Sequence, residues 1–254
     1  MPARIRFAQI AAVAHVTLSY PKRFNAMSRA MWRDLRAVFE RIQGMTELRC
    51  VLVSGEGGHF CAGGDISEYP GFRFQEPSLR TFHEDEVWGA LNAMLACDVP
   101  LVAQIEGNCM GAGVEIASCC DIRLATESAR FGAPIARLGF PMAPREAALV
   151  AREVGLGTAR QMLLEAAVFS APDMLQRGFL SRIVPDADVG TLARASVQRI
   201  SQLAPQAARL NKQTLRALMH DQLPMLLTTA YDYADGIEHR EGIAAFLEKR
   251  APTF

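Results

Sequence analysis

Two glycine-rich turns, each directly behind a short apolar run, constrain this chain most. Cys50-Val51-Leu52-Val53-Ser54 leads into Gly55-Glu56-Gly57-Gly58-His59-Phe60-Cys61-Ala62-Gly63-Gly64-Asp65, and Val99-Pro100-Leu101-Val102-Ala103-Gln104-Ile105 leads into Gly107 to Cys120. The apolar runs predict buried strands, and a helix-period segment over 79–96 lies between them, which is β–α–β order. Glycine lets another group approach the backbone closely, and a turn that opens a helix leaves its first N–H groups without intrahelical acceptors. Such groups can bind an anion or a developing oxyanion. Equally, Gly63-Gly64 and Gly111-Ala112-Gly113 can simply make tight turns or close helix–strand packing.

The flanking segments fit an α/β core. Ile5 to Leu18 reads as two extended stretches forming a hairpin that ends at Tyr20-Pro21. Ser28 is placed to cap a helix whose apolar positions Met31, Leu35, Val38, Phe39 and Ile42 recur at helical spacing until Gly44 closes it. Asp121 to Ala125 predicts a further strand; from Arg145 onward helices dominate. The chain divides into an α/β core over 1–195 and a helical region over 196–254, with no repeat or low-complexity linker.

Charge excludes several functions. Lys and Arg total 27 and Asp and Glu total 27, so a neutral chain without a basic stripe points to no nucleic-acid partner. Arg4, Arg6 and His15 break up the apolar character that a signal peptide needs, and no run reaches membrane-spanning length. The six cysteines form no CxxC pair, so neither a structural zinc nor a disulfide framework is expected; buried thiols in a reducing, cytoplasmic setting are. Gly111-Ala112-Gly113-Val114-Glu115-Ile116 begins like a dinucleotide-binding fingerprint but has Ile116 at the third glycine, and no acid ends a strand about twenty residues on.

The stretch Phe60-Cys61-Ala62-Gly63-Gly64-Asp65-Ile66 resembles the signature F-x-A-G-x-D-[IL] of the crotonase (enoyl-CoA hydratase/isomerase) superfamily. Ile105 to Glu115, with Cys120-Asp121-Ile122-Arg123, resembles the second signature, G-x-x-x-G-[GA]-G-x-E-x-x-x-x-C-D. Pro21 to Ala26, Ala129-Arg130-Phe131-Gly132 and Ala245 to Arg250 match in the same order, so the resemblance covers nearly the whole chain. It implies a crotonase-type β/β/α spiral core with a C-terminal helical trimerisation region, assembled as trimers or hexamers.

The resemblance further implies an acyl-CoA-processing enzyme, a lyase or isomerase, without a permanently bound cofactor or metal. The substrate would be carried as a coenzyme A thioester whose carbonyl is gripped by the backbone N–H groups of Gly64 and Ala112 as it becomes an enolate. Losing one donor of this kind costs about 3 kcal/mol. Glu115 matches the first carboxylate that hydratase-type relatives use on water or a substrate proton, and its place early in a helix also complements the helix dipole. For coenzyme A, the resemblance points to Lys22, Arg23 and Ala26 near the start, Ala62, Gly63, Asp65 and Ile66 in the first signature, and Phe246 and Lys249 completing a neighbouring subunit's nucleotide pocket.

One departure bears on the reaction. The second carboxylate of hydratases should follow Phe131-Gly132-Ala133-Pro134, but that position is Ile135. Syn addition of water needs a proton delivered to Cα as well as a handled water. Glu146, in the altered loop after Gly139, is the candidate replacement; as a glutamate after Pro144 it also reads as an ordinary first-turn helix residue. His83, Glu84, Asp85 and Glu86 are expected to form a charged helix face in solvent, and Tyr69 to Phe82 to shape the acyl pocket. The alternatives to hydration are thioester hydrolysis, decarboxylation, a specialised isomerisation, or acyl-CoA binding without catalysis.

Overall fold

A computed structural model describes residues 2–219 and 222–254. Strands β1 (Arg4–Ile10) and β2 (Val13–Ser19) form the expected antiparallel hairpin, with Ile10 opposite Val13 at its tip. Helix α1 (Arg29–Gln43) begins where the Ser28 side chain accepts from the Met31 N–H at 3.2 Å, and Gly44 caps its end. It buries Met31, Trp32, Leu35, Phe39 and Ile42 on one face.

Strand β3 (Cys50–Gly55) precedes the first glycine turn, after which Asp65 caps a 3-10 segment, Ile66–Gly71. The turn therefore opens no α-helix. Next come α2 (Glu76–Thr81), a π-helical turn (Phe82–Val87) and α3 (Trp88–Ala96), where one continuous helix over 79–96 was expected. Strands β4 (Leu101–Ile105) and β5 (Asn108–Met110) lead to α4 (Ala112–Ser118), followed by β6 (Ile122–Thr126) and β7 (Arg130–Gly132). The later chain holds α5 (Pro144–Val154), α6 (Leu156–Leu164), β8 (Val168–Ser170), α7 (Ala171–Gln176) and β9 (Arg182–Val184). It ends in α8 (Val189–Ser201), α9 (Pro205–Leu218), α10 (Leu223–Leu226) and α11 (Ile237–Glu248).

A six-stranded sheet has the order β1-β2-β3-β4-β6-β9, parallel except for the first pair, and a small sheet has the order β5-β7-β8. Alternation along the parallel strands divides their side chains between two cores. Val51, Val53, Leu101 and Ala103 face the main core with α1 and α3, while Cys50, Leu52, Val102 and Leu124 meet Ala193 and Val197 of α8. Because both faces are covered, these strands read as continuous apolar runs. The division expected at 195/196 falls inside α8. All six cysteines are buried and free, and no described helix is long and apolar enough to cross a membrane.

Candidate active site

The two glycine turns meet because the chain after β3 pairs with β5. The Cys61 N–H donates to the Asn108 carbonyl at 2.8 Å, and the Met110 N–H returns to the Cys61 carbonyl at 2.9 Å. Gly111 turns the chain into α4 at φ +48°, a left-handed conformation that favours glycine. At Gly113 the reason is space: a Cβ there would stand 2.6 Å from the Cys61 carbonyl oxygen. The close-packing reading of these glycines therefore holds, and that packing is what sets the two turns side by side. The Gly64 and Ala112 N–H groups donate to no described residue, and both residues line a cavity of about 280 Å³.

Glu115 lies on α4, every residue of which is buried, and its side chain opens into this cavity. Burial foremost, and then the nearby Glu146 charge, pushes its carboxyl well above the ordinary glutamate value. No described side chain or backbone N–H donates to that carboxyl.

Across the cavity, Ile135 opens a short 3-10 segment and presents an apolar side chain where the resemblance led one to look for an acid. Glu146 lines the same cavity from the first turn of α5 and is 3% exposed. It is both a first-turn helix glutamate and a pocket residue. His83 Nδ1 stands 2.8 Å from Glu146 Oε1, and Arg73 Nη1 stands 3.3 Å from His83 Nε2.

The expectation of a solvated charged face over 83–86 is corrected here. His83 lines the cavity, Glu86 is buried against Arg29 at 2.7 Å and Arg33 at 3.1 Å, and only Glu84 and Asp85 look outward. The cause is the π-helical turn, which adds a residue to one turn and so changes which side chains face inward.

Tyr69, expected to help shape an acyl pocket, lines the cavity: its hydroxyl lies against Gly64, where any added Cβ would run into it. Burial raises its phenol to about 12, so it stays neutral. Arg73 stacks on the rings of Phe140 at 3.8 Å and Tyr69 at 4.6 Å. Arg73 lines the cavity without having been singled out from the sequence. A single arginine in an irregular loop carries no periodic signal, and only the cation–π stack on two rings distinguishes it.

Of the residues tied to coenzyme A by resemblance, Ala62, Gly63 and Ile66 line the cavity. Asp65 turns instead onto the Ser67 hydroxyl at 2.6 Å and lies 3.7 Å from Arg23. Ala26 is buried beside the first turn, and Lys22 and Arg23 are exposed. Phe246 and Lys249 are exposed at the end of α11 and do not line this cavity. Among the described residues, no group of three or more His, Cys, Asp or Glu side chains is placed to hold a metal ion.

A buried carboxyl, two unpaired peptide N–H groups and a second buried carboxyl on one cavity make a site suited to chemistry next to a carbonyl. The enoyl-CoA hydratase/isomerase family model matches residues 8–254. The chain belongs to that family. It is 30% identical to the short-chain-enoyl-CoA hydratase of Clostridium acetobutylicum over 94% of this chain and 92% of that one. The crystal structure of an enoyl-CoA hydratase/carnithine racemase from Magnetospirillum magneticum superposes with a TM-score of 0.93 at 33% identity, covering 100% of this chain and 96% of the other. Pseudomonas aeruginosa AtuE gives 0.91 at 31% identity, with 98% of both chains covered. The expected crotonase-type fold is therefore the fold observed.

Proposed function

We propose that the chain hydrates 2-enoyl-CoA thioesters, with the Gly64 and Ala112 N–H groups as the oxyanion hole and Glu115 and Glu146 sharing the acid–base work. The observation that carries this reading is that both buried carboxyls and both unpaired N–H groups line one cavity. Preorganised donors aimed at the thioester oxygen stabilise the enolate more than the neutral ester. With Ile135 in place of the family's second acid, Glu146 supplies the carboxyl that addition across a double bond needs.

The coenzyme A portion would run past Ala62, Gly63, Asp65 and Ile66, with Ala26 shaping the wall and Lys22 and Arg23 near phosphates. Phe246 and Lys249, exposed in one subunit, suit a contribution to a neighbour's nucleotide site. A trimer, or a hexamer of two trimers, would also cover Leu215, Leu218, Leu227, Ile237 and Ile243, which are exposed in the 196–254 region. No permanently bound cofactor enters this scheme. Six buried free thiols fit a cytoplasmic protein.

Ile135 also favours a second reading, another enolate reaction such as thioester hydrolysis, decarboxylation or isomerisation. Mass spectrometry of a panel of CoA thioesters separates them. Gain of one water, lost in both Glu115→Gln and Glu146→Gln, is the expected result. Free CoA, carbon dioxide or a shifted double bond would favour the second reading, and thioesters bound but unchanged would mean a non-catalytic acyl-CoA binder.

A further inference from the structure

The two carboxyls on the cavity have opposite surroundings. Glu115 is enclosed without a hydrogen-bond donor from any described residue, whereas Glu146 Oε1 faces His83 Nδ1 at 2.8 Å. Arginine carries donors only, so His83 Nε2, 3.3 Å from Arg73 Nη1, faces it as an acceptor. A neutral imidazole has one N–H, and it must then lie on Nδ1 and point at Glu146. Stacking of Arg73 on Phe140 and Tyr69 holds the guanidinium in place. An N–H aimed at a carboxyl oxygen favours the carboxylate, and enclosure without a donor favours the acid.

We infer that Arg73 and His83 are positioning residues that decide which glutamate starts the cycle as base: His83 holds Glu146 as the carboxylate, and Glu115 starts protonated. This rests on the hydratase reading above. The other charged or titratable groups facing the pair are Tyr69 and Arg73 from the 66–73 segment, Glu115 from α4, and the Glu84–Arg145 ion pair on the outer side. Tyr69 stays neutral, its phenol raised to about 12. The upward push on Glu115 agrees with its starting as the acid.

The cycle balances. Glu146 takes a proton from water as the water oxygen bonds to Cβ, and the double-bond pair moves to give the enolate at the Gly64 and Ala112 N–H groups. Glu115 then gives its proton to Cα as the thioester carbonyl re-forms. Glu146 ends protonated and Glu115 ionised, and transfer of one proton from Glu146 to Glu115 restores the start.

The test follows hydration of crotonyl-CoA by the full chain across pH, alongside thermal melts. His83→Ala should lower kcat by about 10- to 100-fold, by analogy with losing the hydrogen-bond partner behind a metal ligand, with KM nearly unchanged. It should also move the acid limb of the kcat profile to higher pH, because the base loses the donor that favours its charged form. His83→Gln, which keeps an N–H donor, should restore the limb. Selective 15N-histidine NMR, assigned with His83→Gln, should show hydrogen on Nδ1 in the native protein and a shift toward Nε2 in Arg73→Met. Native kcat and acid limb in His83→Ala beside an inactive Glu146→Gln would overturn the positioning role and leave the hydratase reading standing. Native turnover in Glu146→Gln would overturn both, and hydrogen on Nε2 in the native protein would overturn the role of Arg73 whatever the activity.

Discussion

His83 Nδ1 stands 2.8 Å from Glu146 Oε1, although 63 positions of chain separate the two residues. This contact joins the π-helical turn to the first turn of α5 on the cavity wall. The π-helical turn is anchored on its other side by Glu86, whose two oxygens accept from Arg29 Nε at 2.9 Å and Nη2 at 2.7 Å.

That anchor gives a first prediction. Glu86→Ala leaves the Arg29 and Arg33 guanidiniums without their carboxylate and frees the turn that carries His83. Losing a charge-assisted hydrogen-bond partner of this kind costs on the order of 2 kcal/mol, or roughly 5 °C in melting temperature for a chain of this size. Thermal melts of Glu86→Ala and of Asp85→Ala, an exposed neighbour on the same turn, measure the difference; equal melting temperatures would remove the anchoring role.

Glu115 should make the protein less stable as pH rises. Its folded pKa is raised above the unfolded value near 4.5, so the folded state binds more protons and stability falls from about that pH up through the raised value. Each pKa unit by which folded exceeds unfolded costs about 1.4 kcal/mol above that window. Glu115→Gln has no proton to lose. It should melt higher than the native protein at neutral pH and above, by roughly 3 °C per 1 kcal/mol, with the gap closing toward pH 4.5, while turnover falls about 10²-fold or more. Melting curves from pH 4.5 to 9 check the sign; a gap that widens toward acid would reverse it.

The Tyr69 hydroxyl makes Gly64 intolerant of a side chain in a specific way. Gly64→Ala sets a methyl against that hydroxyl, displacing either the ring or the N–H proposed for the oxyanion hole. Loss of one such donor costs about 3 kcal/mol, roughly 10²-fold in kcat. Tyr69→Phe removes the oxygen, although the ring carbon that bore it still stands 3.2 Å from the added carbon. Part of the activity should therefore return in the double variant. Ala112→Gly keeps its N–H and should change kcat little. Comparing kcat for the native protein, Gly64→Ala, Tyr69→Phe and the double variant tests the contact, and no recovery in the double variant would mean that something other than the hydroxyl limits position 64.

The features legible in the sequence are those governed by short-range rules. Ser28 and Gly44 delimit α1 because capping acts within one turn, and buried strands announce themselves as apolar runs because both faces are covered. Glu115 was readable from its place in an ordered signature. Glu146 could be suspected only from its nearness in sequence to Ile135, and whether it faced solvent or cavity depended on how α5 docks. The inward turn of His83 was hidden because periodicity arguments assume α geometry, and the π-helical turn breaks the period at that residue. Arg73 gave no periodic signal, since it lies in an irregular loop and meets the distant Phe140 only through the fold.

Ile135 offers the last test, because the sequence resemblance assigns the second acid of hydratases to its position on the cavity wall. Its side chain lines the same cavity as Glu115 and Glu146, so Ile135→Glu adds a third carboxyl there. In the native background this crowds three carboxyls on one cavity and should lower stability and turnover, since each added carboxylate disfavours ionisation of the others. In the Glu146→Gln background the carboxyl count returns to two. If Glu146 works as a replacement for the missing acid, Ile135→Glu should recover at least about tenfold of the hydration lost in Glu146→Gln, within the range that one positioned acid or base contributes. Steady-state hydration of crotonyl-CoA by both single variants and the double variant gives the answer. A double variant that folds, melts normally and remains as inactive as Glu146→Gln would show that the two positions do not substitute for one another, and that Glu146 acts from a direction the Ile135 wall does not share.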